Sequence, residues 1–233
     1  MRRVLIGTPA HDGRVDVWYA NSLAGTIRLC MREGVDLREV YMSYDSIVQN
    51  ARNDLVKVAL ESGFDDLVFI DSDQDWKPEW LLKLLDYPVD CVGAAVRKKT
   101  DAQELYNVKS ETLHIPVDMR TGLLMVDSLG CGFIRFSRKA LQILWDNSEE
   151  YCVFGKEKSR WIFDIRPVNG VLVGEDTMVS MKLKAHGIQT YLDQHMTCGH
   201  IGPKKWTGDF ADWLKRAQAA ESNERRNWQS IAG

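Results

Sequence analysis

Apolar positions along this chain change their period several times. Val4, Leu5 and Ile6 form a short run, and the strand from Arg3 to Thr8 is expected to break at Pro9. Val17, Ala20, Ala24, Ile27 and Met31 then recur at three- and four-residue spacing. Gly34 closes that stretch, so the spacing predicts a helix. Leu37 to Met42 reads as a second strand, and Ser43-Tyr44-Asp45-Ser46 as a polar loop that supplies an N-cap. Ile47, Ala51, Leu55, Val58 and Ala59 predict a second helix, ended by Gly63. Leu67 to Ile70 is a continuous β-branched and aromatic run of the length of a strand buried on both faces. Strand, helix, strand, helix, strand is the order of a doubly wound parallel sheet with right-handed crossovers.

Beyond that run the elements shorten. Lys77-Pro78-Glu79 opens a helix whose buried stripe is Leu81, Leu84 and Leu85. Asp90 to Val96 is a strand, and residues 97–128 read as mixed β-hairpin and loop. Gly130-Cys131-Gly132 leads into a strand ending at Phe136, after which Ser137 caps a helix carrying Leu141, Leu144 and Trp145. Residues 148–173 are irregular and aromatic. Gly174-Glu175-Asp176 begins a helix with Val179 and Leu183 inside, closed by Gly187. Gln189 to Leu192 reads as a short strand, and Cys198-Gly199-His200-Ile201-Gly202 as a glycine-flanked turn. Phe210, Trp213, Leu214 and Ala217 mark a last amphipathic helix, and the polar tail after Glu221 is expected to fray. No repeat or linker interrupts the order. The expectation is one α/β domain, Rossmann-like, with a mostly parallel central sheet and helices on both faces.

Composition narrows the setting. No segment approaches the roughly 20 uninterrupted apolar residues of a membrane span, and Met1 to Gly7 reads as a first strand, not a signal peptide. Cys30, Cys91, Cys131, Cys152 and Cys198 are scattered and odd in number, as in a cytoplasmic protein with reduced thiols. A net charge of -3 does not advertise nucleic-acid binding. The basic clusters Arg97-Lys98-Lys99, Lys156 with Lys158 and Arg160, Lys204-Lys205 and Arg225-Arg226 read as solvated faces.

The candidate chemistry begins where the buried run ends, at Asp71-Ser72-Asp73. In open α/β sheets ligands bind beyond the carboxyl ends of such strands. Side chains two apart in extended chain point the same way, so two carboxylates there repel unless a cation lies between them. Hard oxygen ligands suit Mg²⁺ or Mn²⁺, with substrate phosphates completing the shell. Glu175 and Asp176 at a helix start, and His200 between glycines, are further candidates. Each has a bland alternative: carboxylates are common helix caps, and a lone histidine in a turn is usually a surface or packing residue. Taken together they suit metal-assisted group transfer, with a separate carboxylate accepting a proton from a nucleophile.

Five stretches taken in order resemble the GT-A-fold glycosyltransferases, the nucleotide-sugar-dependent, family-2-like group, and in particular its short stand-alone members of the phage type. They are Ile6-Gly7-Thr8-Pro9, Gln49-Asn50-Ala51-Arg52-Asn53-Asp54-Leu55, Phe69-Ile70-Asp71-Ser72-Asp73, Leu129-Gly130-Cys131-Gly132-Phe133, and Val173-Gly174-Glu175-Asp176 with Leu183 and Gly187. The resemblance covers roughly Val4 to Ile201. It implies a nucleotide-binding half (about 1–96), an acceptor and catalytic half (about 97–205) and a C-terminal helix (about 206–228). It implies a nucleoside-diphosphate sugar as donor, a UDP-sugar being favoured, and Mn²⁺ or Mg²⁺ as cofactor. Asp71, Asp73 and His200 would hold the metal. Thr8, Pro9, Arg52, Asp71, Ser72, Asp73, Gly130 and Gly132 would line the donor. Asp176 would be the general base in an inverting displacement, with Glu175 positioning the acceptor or sugar.

For the acceptor, Lys98, Arg160 and Trp161 are the candidate contacts, from the region Arg97 to Lys109 and from the segment Tyr151 to Arg166, the expected variable loops over the sugar, where Phe154, Trp161 and Phe163 interleave with basic residues. Such a segment could hold a phosphate backbone and stack a base, or its aromatics could simply pack under a long loop. A hydroxymethylated pyrimidine extruded from DNA is one acceptor to test; protein, lipid-linked saccharide and small molecules stay open beside it. The lack of anchoring extensions argues against a processive polysaccharide synthase. Two other classes stay in view. A sugar-phosphate nucleotidyltransferase would want a glycine-rich phosphate loop with a basic residue after the first strand, of which Gly7 to Arg14 is a poor version. A non-catalytic sugar or nucleic-acid binding module would keep the fold alone. Trp18, Trp206, Trp213 and Trp228 are core or a self-association patch, and the C-terminal helix is the candidate homodimer contact.

Overall fold

A computed structural model describes residues 1–153, 155 and 157–231, those from 223 onward by backbone alone. Phe154, Lys156 and the side chains of Arg225, Arg226 and Trp228, named above, lie outside the described residues. The first half runs β1 (Arg3–Ala10), α1 (Val17–Arg32), β2 (Asp36–Ser43), α2 (Val48–Glu61), β3 (Asp66–Ile70), β4 (Gln74–Asp75), α3 (Glu79–Asp86) and β5 (Cys91–Val96). The second half opens with β6 (Val108–Lys109), β7 (Leu124–Val126), β8 (Ser128–Leu129), β9 (Phe133–Ser137) and α4 (Arg138–Asp146). Two small hairpins follow, β10 (Glu150–Cys152) with β11 (Lys158–Arg160) and β12 (Arg166–Val168) with β13 (Val171–Val173). The chain ends with α5 (Glu175–Ala185), β14 (Thr190–Ile201), β15 (Lys205–Trp206) and α6 (Phe210–Ile231).

The central sheet has the order β15-β14-β5-β9-β3-β1-β2, with β4 and β7 pairing on β14. β2, β1, β3, β5 and β14 share one direction, and β9 runs against both of its neighbours. This is the expected mixed, mostly parallel α/β architecture. The reversed β9 matters for the site, because its N-terminal glycine turn meets the carboxyl ends of the parallel strands.

β3 shows why the sheet needs helices on both faces. Leu67, Val68, Phe69 and Ile70 are all fully buried. Leu67 and Phe69 pack with Leu55 and Val56 of α2, Leu141 and Leu144 of α4, Val179 and Leu183 of α5, and Phe210 of α6. Val68 and Ile70 pack on the other side with Tyr19 and Leu23 of α1 and Leu81 and Leu84 of α3. Burying each such side chain contributes about 1.5–3 kcal/mol, and the alternation fixes which face Asp71 continues.

Several expectations are corrected. β1 runs through Pro9 to Ala10, because its pairing with β3 stops at Gly7 and the imide meets no further partner on that side. α2 has no serine cap: Ile47 stands at the N-cap without a side-chain hydrogen bond. In place of an irregular segment, Glu150–Cys152 pairs with Lys158–Arg160 and Arg166–Val168 with Val171–Val173. His200 sits in strand β14, not in a turn; β14 continues well past Leu192 through a register shift between Asp193 and Thr197. Phe210 is fully buried and Trp213 packs on Tyr106 within the chain, which removes that pair as a dimer contact. Among the described residues no helix is long and apolar enough to cross a membrane, and no disulfide forms.

β5 and β9 approach closely because position 93 lacks a side chain. A Cβ there would lie 2.5 Å from the Phe133 carbonyl oxygen and 3.0 Å from Ile134 Cα. Gly93→Ala is expected to destabilise the fold by about 1–3 kcal/mol, read from the urea midpoint; an unchanged midpoint would contradict this close approach.

Candidate active site

The parallel strands deliver their carboxyl ends to one edge of the sheet. Asp71 follows β3, Arg97 to Lys99 follow β5, and His200 lies near the end of β14. Gly130-Cys131-Gly132 precedes the reversed β9 and reaches the same edge. The Asp71 backbone N–H donates to the Gly132 carbonyl at 3.1 Å. A Cβ on Gly132 would lie 3.4 Å from Asp71 Oδ2, so this glycine lets the turn lie against the carboxylate.

Arg52 of α2 is the centre of the charge arrangement, with 4% of its side chain exposed. Its Nη2 donates to Asp71 Oδ1 at 2.8 Å, and its Nη1 to Asp176 Oδ1 at 3.1 Å and Glu175 Oε1 at 3.5 Å. The guanidinium also lies near the rings of Phe69 and Phe163. Burial disfavours its charge, but Asp71, Cys131, Asp176 and Glu175 outweigh that and hold it well above the usual arginine range. Asp71 is pushed up by burial, with Arg52 opposing and the Asp176 and Asp73 charges adding to the rise. Asp176 Oδ1 accepts a second bond, from the Cys131 backbone N–H at 3.1 Å. Glu175 and Asp176 form the first turn of α5, where the helix dipole favours negative charge.

Asp73 is held differently. Its carbonyl accepts from Ile201 N–H at 2.8 Å, and β4 pairs Gln74 with His200. Its Oδ2 lies 2.5 Å from Lys99 Nζ and 3.3 Å from His200 Nε2. Burial would raise this carboxyl; the bonds from His200 and Lys99 win and hold it at about 2. His200 Nδ1 sits 2.9 Å from the Arg97 carbonyl. A carbonyl can only accept, so Nδ1 carries a proton, and Nε2 is the ring atom turned to Asp73. An oxygen ligand beside an imidazole oriented by a carbonyl suits a divalent cation. Asp71 is not brought into that pair; it is drawn to Arg52. Among the described residues no group of three or more His, Cys, Asp and Glu side chains is arranged to hold a metal ion. The expected three-ligand set therefore reduces to Asp73 and His200, a fit for a cation that takes its remaining ligands from phosphate and water.

Two cavities flank Arg52. A cleft of about 410 Å³ is lined by Pro9, His11, Asp12, Asp45 and Ser46 at one end and by Arg52, Asp71, Ser72, Asp73 and His200 at the other. A smaller cavity of about 140 Å³ has Asp176 on its wall, with Lys98, Asn107, Lys109, Gly130 and Thr177. Arg52 thus lines one space and holds the carboxylate that lines the other.

Three expected contacts are not brought to these cavities. Thr8 is fully buried, and its Oγ1 lies 2.6 Å from Tyr19 Oη, beneath the cleft. Trp161 donates to Asp164 at 2.7 Å and packs edge-on to Tyr151, so it belongs to its own loop. Arg160 bonds the Ser148 carbonyl and pairs with Glu150. Lys98, Pro9, Ser72, Gly130, Asp71, Asp73, Asp176 and His200 do line the cavities; Glu175 lines neither and reaches the site through Arg52, and Gly132 lies against Asp71. Asp75, two residues beyond Asp73, is taken by Lys205. Lys99, Asn107, Lys109, His11, Asp12 and Asp45 were missed. For Lys99 the available signal was its place just after β5, at the strand end where ligands bind.

No protein-family model and no curated protein matches the chain; its similarities are to solved structures. One is the crystal structure of A197 from STIV, at 16% identity and TM-score 0.52, covering 87% of this chain and 86% of that one. Another is S. aureus TarS 1-349 in complex with UDP-GlcNAc, at 13% identity and TM-score 0.47, covering 91% of this chain and 61% of that one. A third is a putative glucose-1-phosphate thymidylyltransferase from Bacillus anthracis, at 8% identity and TM-score 0.46, covering 86% and 89%. At these identities the likeness to A197 concerns the fold.

The two cations of the site differ in what they hold up. Arg52→Met leaves three half-buried carboxylates facing one another without their shared donor and is expected to cost about 1–3 kcal/mol. Lys99→Met breaks a pair about one-third exposed on each side, expected to cost about 0–1 kcal/mol. Urea denaturation of both variants measures the difference, and equal losses would contradict the buried role of Arg52.

Proposed function

We propose that this chain is a metal-dependent glycosyltransferase that moves a sugar from a nucleoside-diphosphate donor to a hydroxyl acceptor, with inversion. The observation that carries the reading is the placing of the Asp73–His200 pair and a separate carboxylate cluster around the buried Arg52 on the same strand edge, the first lining a cleft and the second giving Asp176 to a smaller cavity. The nucleoside would lie toward Pro9, His11, Asp12 and Asp45, where carboxylates suit ribose hydroxyls and base N–H groups. The diphosphate would lie at Asp73 and His200, and the sugar over Gly132 and Asp71.

Four carboxylates (Asp71, Asp73, Glu175, Asp176) surround two permanent cations (Arg52, Lys99). A dianionic diphosphate approaching this edge therefore needs added positive charge. Mn²⁺ or Mg²⁺ on Asp73 and His200 would supply it and stabilise the charge that develops on the leaving phosphate. Asp176 is the general base. Arg52 and the Cys131 N–H both fix its Oδ1, and Oδ2 is then the oxygen to take the acceptor proton. Glu175 shares the same guanidinium and would orient the sugar or the acceptor. Attack from the Asp176 side on a sugar whose phosphate departs toward Asp73 is a single in-line displacement. The nucleotidyltransferase reading wants a basic residue on the loop after β1 facing the phosphates; Arg14 is exposed and lies outside the cleft lining.

Release of nucleoside diphosphate from UDP-, GDP-, CDP- and dTDP-sugars, with Mn²⁺, Mg²⁺ or chelator, tests the proposal. One donor is expected to turn over with metal and to stop in Asp73→Ala. Asp176→Asn is expected to lower transfer by about 10²- to 10⁴-fold while donor binding, followed by calorimetry, is kept. Absence of both turnover and donor binding across the panel would reject a glycosyltransferase. With the donor known, an acceptor screen can begin at hydroxymethylated DNA.

A further inference from the structure

We propose that Lys99 is an internal stand-in for the divalent cation: its ammonium, paired with Asp73, holds the metal position until metal and nucleotide arrive and then passes to the donor diphosphate. This rests on reading Asp73 and His200 as the cation site.

The position of Lys99 is built by its surroundings. Arg97, just after β5, turns its guanidinium back on its own loop and donates to four carbonyls, those of Lys98, Thr100, Gln103 and Leu105, at 3.1 to 3.3 Å. The loop is tied to the β14–β15 hairpin by Asp101, which pairs with Lys204 and accepts from Trp206 Nε1. The same Arg97 orients His200 through its carbonyl oxygen. One short segment therefore sets the imidazole and brings an ammonium to the oxygen that the imidazole faces. The Lys99 stem crosses Gly202, where a Cβ would lie 3.5 Å from Lys99 Cδ and 3.0 Å from the Trp206 ring.

Charge makes the ammonium a competitor. It sits on Oδ2 of Asp73, the oxygen nearest His200 Nε2, so a cation bridging these two atoms must displace it. The pair is partly exposed, and partly exposed pairs are weak enough to exchange. Once displaced, a strongly hydrated point charge on a flexible stem can follow the negative charge to a phosphate oxygen. Removal of Lys99 should therefore act in opposite directions on the two ligands. Metal alone should bind more tightly, and nucleoside diphosphate in the presence of metal should bind more weakly.

The test is Mn²⁺ binding to the full chain without nucleotide, followed by the EPR signal of free Mn²⁺, in the unaltered chain, Lys99→Met and Asp73→Asn. Calorimetry of UDP, GDP, CDP and dTDP in excess Mn²⁺ accompanies it. Lys99→Met is expected to tighten Mn²⁺ by up to about fivefold and to weaken the bound nucleotide, while Asp73→Asn loses Mn²⁺. Equal Mn²⁺ affinity with and without Lys99, alongside loss in Asp73→Asn, would overturn the stand-in role and leave the metal site intact. No Mn²⁺ binding in either chain, with nucleotide bound under chelator and weakened by Lys99→Met, would overturn the exchange and make the ammonium itself the phosphate cation. No nucleotide binding at all would remove the donor reading and this proposal with it.

Discussion

A guanidinium as buried as that of Arg52 must be surrounded by opposite charge, and here that charge comes from parts of the chain far apart in sequence. Asp71 arrives at the end of β3, and Glu175 and Asp176 arrive with the first turn of α5, more than a hundred residues later. The N-terminal βαβαβ unit and the helix after the second hairpin are locked through this one side chain. Removing it would leave like charges facing each other, only partly solvated and without the donor they share.

The same constraint divides the proposed labour among the carboxylates. Arg52 holds both Asp71, which lines the cleft, and Asp176, which lines the small cavity. Asp73 lies only two residues from Asp71 but answers to Lys99 and His200. Two aspartates of one short motif thus belong to two electrostatic neighbourhoods, one built to hold protein charge and one able to exchange it. The reversed strand β9 places a glycine turn against Asp71, with the Asp71 N–H donating to the Gly132 carbonyl.

Much of this was legible in the sequence, for physical reasons that can be named. The run Leu67 to Ile70 has no polar residue because both its faces are buried, and helical spacing over Ala51 to Ala59 reports one-sided burial; the spacing of Val17, Ala20, Ala24, Ile27 and Met31 finds a helix but not its buried face, which is Tyr19, Ser22, Leu23, Thr26 and Cys30. The strand-end position of Asp71 and Asp73 follows from those two facts. β14 was truncated because Asp193, Gln194, His195 and Gly199 break its apolar pattern; Asp193 is buried there with Lys83 and Tyr87 as partners, a tertiary compensation that no local pattern records. Thr8 reads as a ligand contact but faces Tyr19, since period-two alternation at a strand end does not say which face opens to the cleft. Arg160 and Trp161 read as acceptor contacts and instead brace their own hairpin loop. Lys99 reads as one of three solvated cations; only the fold of the loop around Arg97 brings it to Asp73.

The central claim is that the cleft at the strand ends takes a nucleoside diphosphate. Backbone amide shifts of the ¹⁵N-labelled chain, titrated with UDP, GDP, CDP and dTDP in the presence of Mg²⁺, address it directly. The account predicts saturable shifts for one nucleotide at His11, Asp12, Asp45, Ser72, Asp73 and Gly132. Shifts that cluster elsewhere, or an unchanged spectrum with every nucleotide, would contradict it.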